Sequence, residues 1–456
     1  MKDFRKNSNG KENTQEEENI DLLDFHKIGK NGPYDIIDDK IANYIIEHEN
    51  IIIIAGKPYI YKDGLYKKDT DGNILRYLIK SMMIQEVITI TRVNRVYNLI
   101  LTNHKLMTDI DDINRHPRHW INFKNGMLDT IEMMLHEHDP EYLSINQIPF
   151  DYEYLNEEGS VIVEFLNGIM PDADDRKMFL EFIGYCMTTD TGLQKFLVIN
   201  GVGGTGKSTI VRLVNNVIGK ENISNLSLQD LNQRFDATNL FGKILNSCAD
   251  IPSKAMEQVD IIKKITGEDR IKGEYKGGAV FFFNNYAKLL FSANEIPISL
   301  DDKTNAYYRR FLIININKRC HEIKNLEKRL NDEIHIFISI VVNAVHEMYK
   351  RGNIIESQGS KDAILELYKA SDGVQAFIID ELELSPTGKT DRTKLYKWYE
   401  DYCHDNGRSP VSANGFYKNL RNKGYSESSA KGARYFKGLI YKNTNFEYSQ
   451  NSVFND

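Results

Sequence analysis

The stretch Phe196–Thr209, FLVINGVGGTGKST, constrains the fold more than any other part of the chain. An apolar run of strand length passes straight into a glycine-rich loop, the loop closes on Lys207, Ser208 and Thr209, and a helical pattern follows. Gly201, Gly206, Lys207 and Ser208 occupy the fixed positions of G-x-x-x-x-G-K-[ST], in the required strand–loop–helix context. Glycines let backbone N–H groups turn inward around phosphate oxygens with no Cβ in the way. The helix start adds its dipole, Lys207 reaches the β- and γ-phosphates, and Ser208 ligates Mg²⁺. Gly201, Gly203, Gly204, Thr205, Gly206, Lys207, Ser208 and Thr209 are thus the expected binding set for a nucleoside triphosphate. A plain glycine turn is the alternative.

Around this loop the texture is KFLVIN, KSTIVRLVNNVIG, GKILNSCAD, AKLLFSANEIP and RRFLIINI: short apolar strands separated by helical segments. That alternation specifies a parallel α/β core, expected over residues 194–351. Residues 1–20 are polar and charged and read as a disordered tail. Residues 21–150 mix strands and helices into an N-terminal α+β domain. Within it, KPYIYKDGLYKK reads as a hairpin around Lys-Asp-Gly, and WINFKNGMLDT as another that turns at Asn125-Gly126. Residues 151–193 read as a helical collar, with Phe165, Ile169, Phe179, Phe182 and Ile183 at helix-compatible intervals between Ser160 and Thr188. GNIIESQGSKD, within 352–362, is the best linker candidate, ahead of a C-terminal domain over 363–456.

Composition excludes several classes. Four scattered cysteines (Cys186, Cys248, Cys320, Cys403) make neither a CxxC nor a disulfide framework and suit reduced thiols. No apolar run is long enough to span a membrane, so a cytoplasmic location is expected. A net charge of −7 confines any nucleic-acid surface to a local patch. The histidines of RHPRHW and HEH lack a third ligand at metal spacing and read as surface or loop residues.

Four features beyond the loop bear on chemistry. Asp250, ending GKILNSCAD, is the candidate carboxylate for Mg²⁺; Ala249 precedes it, where a second acid would polarise the attacking water. Asn294, at the tip of KLLFSAN, can orient water against a γ-phosphate, although strand-end Asn is often turn chemistry. Arg309 and Arg310 precede a strand, and either can serve as an arginine finger toward a neighbouring subunit or simply face solvent. Between Asp250 and Asn294, Arg270, Lys272, Tyr275 and Lys276 read as a hairpin suited to a single-stranded backbone, or as a solvated basic turn.

The C-terminal region changes character. Arg408–Lys442 holds eight Lys/Arg, Lys418, Arg421, Lys423, Lys431 and Arg434 among them, against one acid, Glu427, with aromatics interleaved. SANGFYKNLRNKGY reads as a basic helix and ARYFKGLIY as a strand or wing. That suits a winged helix on duplex DNA, the alternative being a solvated basic face.

The order GVGGTGKST … ILNSCADIP … KKITGEDRIKGEYK … KLLFSANEIP … YYRRFLII resembles superfamily 3 helicases, AAA+ motors of the phage and plasmid primase-helicase branch. INFKNGMLD and the basic tail are similar to segments flanking that motor, and the composition resembles replication initiators of staphylococcal-type pathogenicity islands. The resemblance covers about residues 120–450. It implies a homo-oligomeric ring, usually hexameric, with ATP and Mg²⁺ between subunits, single-stranded DNA in the pore and origin duplex on the C-terminal winged-helix domain. It also implies host replication proteins as partners. By position, Lys207 and Ser208 bind phosphates and metal, Asp250 the metal-bound water, and Asn294 is a sensor. Arg309 or Arg310 is the trans finger, and Lys272 or Lys276 lies on the pore hairpin. Unwinding without priming is expected, because no paired-acid signature precedes INFKNGMLD. The rival expectations are an initiator whose ATP only controls assembly, motivated by Ala249, and a P-loop phosphotransferase.

Overall fold

The computed structural model describes residues 21–28, 34–157, 159–233, 235–249, 260–275, 280–296, 305–319, 323–430 and 432–442. The tail expected over 1–20 lies outside them. The chain divides into two units, one ending at Ile113 and the other starting at Asn114.

In the first unit, β1 (His26–Lys27) pairs antiparallel with β2 (Asp35–Ile36). Helix α1 (Asp38–His48) opens on Asp38 and Asp39, the end at which a helix dipole favours negative charge. β3 (Ile51–Ile54), β4 (Lys57–Lys62) and β5 (Leu65–Lys68) form an antiparallel meander. Asp63 and Gly64 turn β4 into β5 with φ +53° and +86°, the left-handed pair a tight hairpin wants, as Lys-Asp-Gly foretold. α2 (Asn73–Ser81) and α3 (Ile90–Leu101) complete a core containing Ile41, Ile53, Leu75, Ile79, Val93 and Ile100.

The second unit begins with β6 (Trp120–Phe123), β7 (Gly126–Asp129) and β8 (Met134–His136), again antiparallel. Phe123 pairs with Gly126, so the turn is Lys124-Asn125 rather than Asn125-Gly126. The Asn125 amide explains the shift. Its Nδ2 donates to Tyr152 O and its Oδ1 accepts from Tyr152 N, both at 2.9 Å, which holds it within the loop. α4 (Val161–Ile169) and α5 (Ala173–Cys186) fill the expected helical stretch, each opened by a side-chain cap, Ser160 and Asp172.

β9 (Phe196–Asn200) runs through the glycine loop into α6 (Lys207–Ile218). Then come β10 (Ile223–Ser224), β11 (Leu245–Cys248), α7 (Asp260–Thr266) and an antiparallel hairpin of β12 (Arg270–Glu274) and β13 (Val280–Asn284). β14 (Lys288–Ala293), the short α8 (Asn305–Tyr308) and β15 (Phe311–Asn315) follow. The sheet is parallel throughout, in the order β10-β11-β14-β9-β15. Every residue of β14 is buried, as is β9 up to Ile199, which accounts for the apolar runs Leu289–Phe291 and Phe196–Ile199. α9 (Leu326–Asp332) and α10 (Ile334–Arg351) pack beside it.

One hydrophobic core runs from Ile121 through α4, α5 and the sheet to Ile354. That core spans the divisions expected after residues 150 and 193, and the chain divides into its two compact units at Ile113–Asn114. Within the linker expected over 352–362, residues 352–357 form no helix or strand and a helix starts at Gln358. Ser357 caps α11 (Gln358–Ser371), and Ser360 Oγ accepts a 2.9 Å bond from Ile313 N in β15. A helix covers the outer edge of the sheet here, and the two serines that looked like linker residues are buried.

Beyond α11 lie α12 (Gly373–Glu381), β16 (Leu382–Asp391), α13 (Arg392–Asp405), α14 (Ala413–Asn422), β17 (Glu427–Ala430) and β18 (Ala433–Tyr441). The strands form an antiparallel sheet in the order β16-β18-β17. They share a separate core with the helices, built on Phe377, Leu395, Tyr399, Phe416, Leu420 and Phe436. SANGFYKNLRNKGY supplies α14 and ARYFKGLIY supplies β18, as their patterns indicated.

Candidate nucleotide site and nucleic-acid surfaces

The phosphate loop leaves β9 at the carboxyl edge of the sheet, between β14 and β15. Gly201 takes φ +154°, and a Cβ there would lie 2.1 Å from Ile316 O, so the loop's first residue has room for no side chain. Gly201 N donates to Ala293 O at 3.1 Å, and Ile316 N donates to Asn200 O at 2.7 Å, which ties the loop's root to both neighbouring strands. Gly204 and Gly206 follow with φ +80° and +90°, and Thr205 Oγ1 donates to Val202 O at 3.0 Å. Nothing lies within 4 Å of a Cβ built on Gly203 or Gly204, so the backbone faces an open approach.

Lys207, the first residue of α6, is only 6% exposed. Its Nζ donates to Gly201 O, to Val202 O at 2.9 Å and to Asn294 Oδ1 at 3.1 Å. Two residues singled out 87 positions apart thus meet at one ammonium group. Ser208 is exposed in the first turn of α6. Asp250, its expected metal partner, lies outside the described residues; Ala249, just before it, is exposed beyond the end of β11.

A cleft of about 970 Å³ opens beside the loop. Gly204, Gly206 and Thr209 form its loop side, Val161, Phe165 and Ile169 of α4 one apolar wall, and Ile323 and Leu326 the other. Lys318, Arg319 and Arg329 add positive charge to its rim. An apolar slot against a helix-start anion site fits a nucleoside triphosphate. For Mg²⁺, the described part of the site offers the Ser208 hydroxyl. The α4 wall and the cations at 318–329 were missed from sequence, because nothing local joins 161–169 to 318–329.

The adjacent arginines differ sharply. Arg309 is exposed. Arg310 is 7% exposed, and its guanidinium donates to Thr266 Oγ1 at 3.0 Å and to Gln194 Oε1 at 3.4 Å. Arg310 thereby joins the end of α7 to the segment entering β9. As a finger toward another subunit it is the poorer candidate.

The hairpin of β12 and β13 exists where basic residues suggested one. Arg270 and Lys272 are on its exposed face, and Tyr275 is not. The Tyr275 ring stacks on Phe281, 5.3 Å between centroids, and Phe281 and Phe283 each pack at 5.4 Å on Phe241. Lys276 lies outside the described residues.

In the C-terminal module the basic residues divide likewise. Lys418 on α14 and Arg434 on β18 are exposed. Arg421 Nη1 bonds Glu427 at 2.8 Å, and Lys423 Nζ bonds the buried Asp372 at 2.8 Å. Lys423 therefore fastens α14 to the cap of α12, a structural use that charge counting could not reveal. Lys431 lies outside the described residues.

The histidines read as loop or surface residues are built into the fold. His116 is buried, which lowers its pKa, and His136 stacks on Trp120 at 4.4 Å. His138 Nε2 lies 2.8 Å from Phe123 O. Among the described residues no group of His, Cys, Asp and Glu could hold a metal, and no helix is long and apolar enough to cross a membrane.

Residues 39–197 match the family described as D5 N terminal like, and residues 199–310 match a family of unknown function, DUF5906. The A-form apo structure of the NrS-1 C-terminal region is similar to this chain at TM-score 0.55 and 13% identity, covering 87% of this chain and 99% of that one. Another A-form apo structure, of NrS-1 residues 305–718, gives 0.53 at 13% identity over 87% and 98%. A further apo structure of that region gives 0.51 at 12% identity over 88% and 98%. The likeness is one of fold.

Proposed function

We propose that this protein is an ATP-dependent DNA helicase of the superfamily 3 type, working as a homo-oligomeric ring, with a C-terminal winged-helix module that recognises a replication origin of a mobile element. The observation that carries the reading is the meeting of Lys207 and Asn294. It occurs on a β10-β11-β14-β9-β15 parallel sheet with a basic hairpin inserted between β11 and β14. The D5 N terminal like match and the NrS-1 likeness support it.

ATP with Mg²⁺, when bound, supplies a phosphoryl group whose transfer to water releases the free energy for movement. Lys207 sets positive charge under the phosphates, and backbone N–H groups of the loop and the start of α6 stabilise their oxygens. Ser208 and Asp250 would hold the metal. Asn294, at hydrogen-bond distance from Lys207, holds the attacking water in line. The exposed Arg309 is the group that an adjoining subunit of a hexamer can receive, whereas Arg310 keeps α7 against β9.

Arg270 and Lys272 face outward on the β12–β13 hairpin to follow one DNA strand. In the C-terminal module, the order α12, β16, α13, α14, β17, β18 is that of a winged helix. It presents Lys418 on the recognition helix and Arg434 on the wing strand to duplex phosphates.

Strand displacement on a forked DNA and DNA-stimulated ATPase test the reading. Both are expected to fall to background in Lys207→Ala, and unwinding unchanged by that substitution would refute it. A second reading, an initiator whose ATP controls only assembly, is favoured by Ala249 at the place of a catalytic acid. Unwinding with ATP but not with a non-hydrolysable analogue excludes it.

A further inference from the structure

The β12–β13 hairpin has two unlike faces, and its sequence, RIKGE followed by VFFFN, does not show which phenylalanine belongs to which. The register settles it. Arg270 pairs with Asn284, Ile271 with Phe283, Lys272 with Phe282, Gly273 with Phe281, and Glu274 with Val280. Side chains alternate across a strand, so Ile271, Gly273, Phe281 and Phe283 share the inner face and Arg270, Lys272, Val280 and Phe282 the outer one.

The inner face is anchored. The Phe281 ring lies over Gly273, where an added Cβ would come within 2.7 Å of it, and the rings of Tyr275, Phe283 and Phe241 enclose it. Thr238 bonds the backbone of Glu274, its Oγ1 accepting from Glu274 N at 2.7 Å. Among the described residues the outer face has no such cover. Phe282 is 51% exposed and Val280 45%, although Phe281 and Phe283 in the same strand turn inward. Lys272 stands directly opposite Phe282, and Arg270 sits one diagonal away, its Nη2 donating to Phe282 O at 3.2 Å. Among the described residues Glu274, opposite Val280, is the one acid on this face, and Asn284 closes the other end.

An exposed aromatic ring on a rigid support, with cations at cross-strand spacing, matches one ligand chemistry: a flat base attached to a phosphate. A protein partner would be expected to cover Val280 and Phe282 without needing the two cations. We infer that Phe282 is a stacking platform for an unpaired DNA base, and that Lys272 and Arg270 hold the phosphates on either side of that base. This rests on the helicase reading but adds to it, because grip on the strand then comes from the base as well as from charge.

The two contributions separate experimentally. With full-length protein and a fluorescein-labelled oligo(dT) strand, Phe282→Leu is expected to weaken binding about tenfold. The slope of log affinity against log salt should stay unchanged. Lys272→Ala should instead make that slope shallower by about 0.7. Phe282→Tyr should bind like the natural protein, and an otherwise identical abasic strand should make Phe282→Leu and the natural protein equal. Unchanged melting of Phe282→Leu shows that the fold is intact; if its melting falls, the Tyr variant and the abasic strand decide the question. Equal affinity of Phe282→Leu and natural protein for oligo(dT), or an equal loss on the abasic strand, overturns the inference and leaves the helicase reading standing. Natural protein that ignores oligo(dT) altogether overturns both.

Discussion

Lys288 opens β14, at the opposite end of the strand from the edge that leads to Asn294, and is 4% exposed. Its Nζ donates to Thr188 O and, at 3.1 Å, to Tyr286 O, and lies 4.9 Å from the centre of the Tyr185 ring. Burial pulls its pKa down from the ordinary 10.5 to about 8, with Cys186 and Asp190 opposing the shift. The unfolded chain therefore binds more protons than the folded one between these values, and stability should rise with pH across that window. The gain is complete above the unfolded value and lost as pH falls through about 8. Two and a half pKa units correspond to about 3 kcal/mol in full, of which about 2 kcal/mol should appear between about pH 7 and pH 9.5. Lys288→Met removes the titration while its lost carbonyl bonds cost the same at every pH. Urea unfolding of both proteins at the two pH values should then show the natural protein gaining about 2 kcal/mol on the variant. Tyr185 and Tyr349, whose pKa values burial raises, are common to both and cancel, and burial holds the Cys186 thiol up at about 12, so it stays protonated across this window with or without Lys288. A difference that does not change with pH would refute the reasoning, since it would mean that Lys288 stays charged in the fold throughout.

Gly201→Ala should lower the melting temperature and abolish binding of a fluorescent ATP analogue, because its Cβ would meet Ile316 O; Gly203→Ala, with nothing near its Cβ, should melt normally. Arg310→Ala should cost about 2–4 kcal/mol in denaturant titrations by leaving Thr266 and Gln194 without their buried donor. Arg309→Ala should unfold within about 0.5 kcal/mol of the natural protein yet lose on the order of a thousandfold in ATPase rate once assembled. Lys423→Ala should destabilise by about 2–4 kcal/mol, because the buried Asp372 would lose its paired cation. Lys418→Ala should melt normally and, in duplex-binding titrations, weaken affinity evenly across sequences while reducing the salt slope by about 1.

The phosphate loop was readable from sequence because its function needs backbone conformations that only local glycines supply. The tight turn at Asp63-Gly64 was readable for the same reason. Asn294 was picked out as a strand tip, but its contact with Lys207 depends on β14 lying beside β9, which strand order alone decides. Arg309 and Arg310 are equivalent in sequence; their difference comes from which one the turn after α8 aims at Thr266. Tyr275 looked like a DNA contact by type, yet aromatic rings on a two-stranded hairpin sort by register, and the run of apolar residues in VFFFN conceals that register. Ser357 and Ser360 misled in the opposite sense. Composition takes serine as a sign of loop, whereas here one hydroxyl starts a helix and the other accepts a bond from the edge strand.

That helix, α11, has a mechanical consequence. It begins on β15, next to the strand that carries the phosphate loop, and ends at Asp372, which caps the first helix of the C-terminal module. Its 14 residues make a rod of about 21 Å. A tilt of about 10° at the sheet end would swing the far end by roughly 4 Å, close to the rise of one DNA base step. The end of the segment expected as a linker is thus the start of a helical rod, which spans from the sheet edge to the module beyond it.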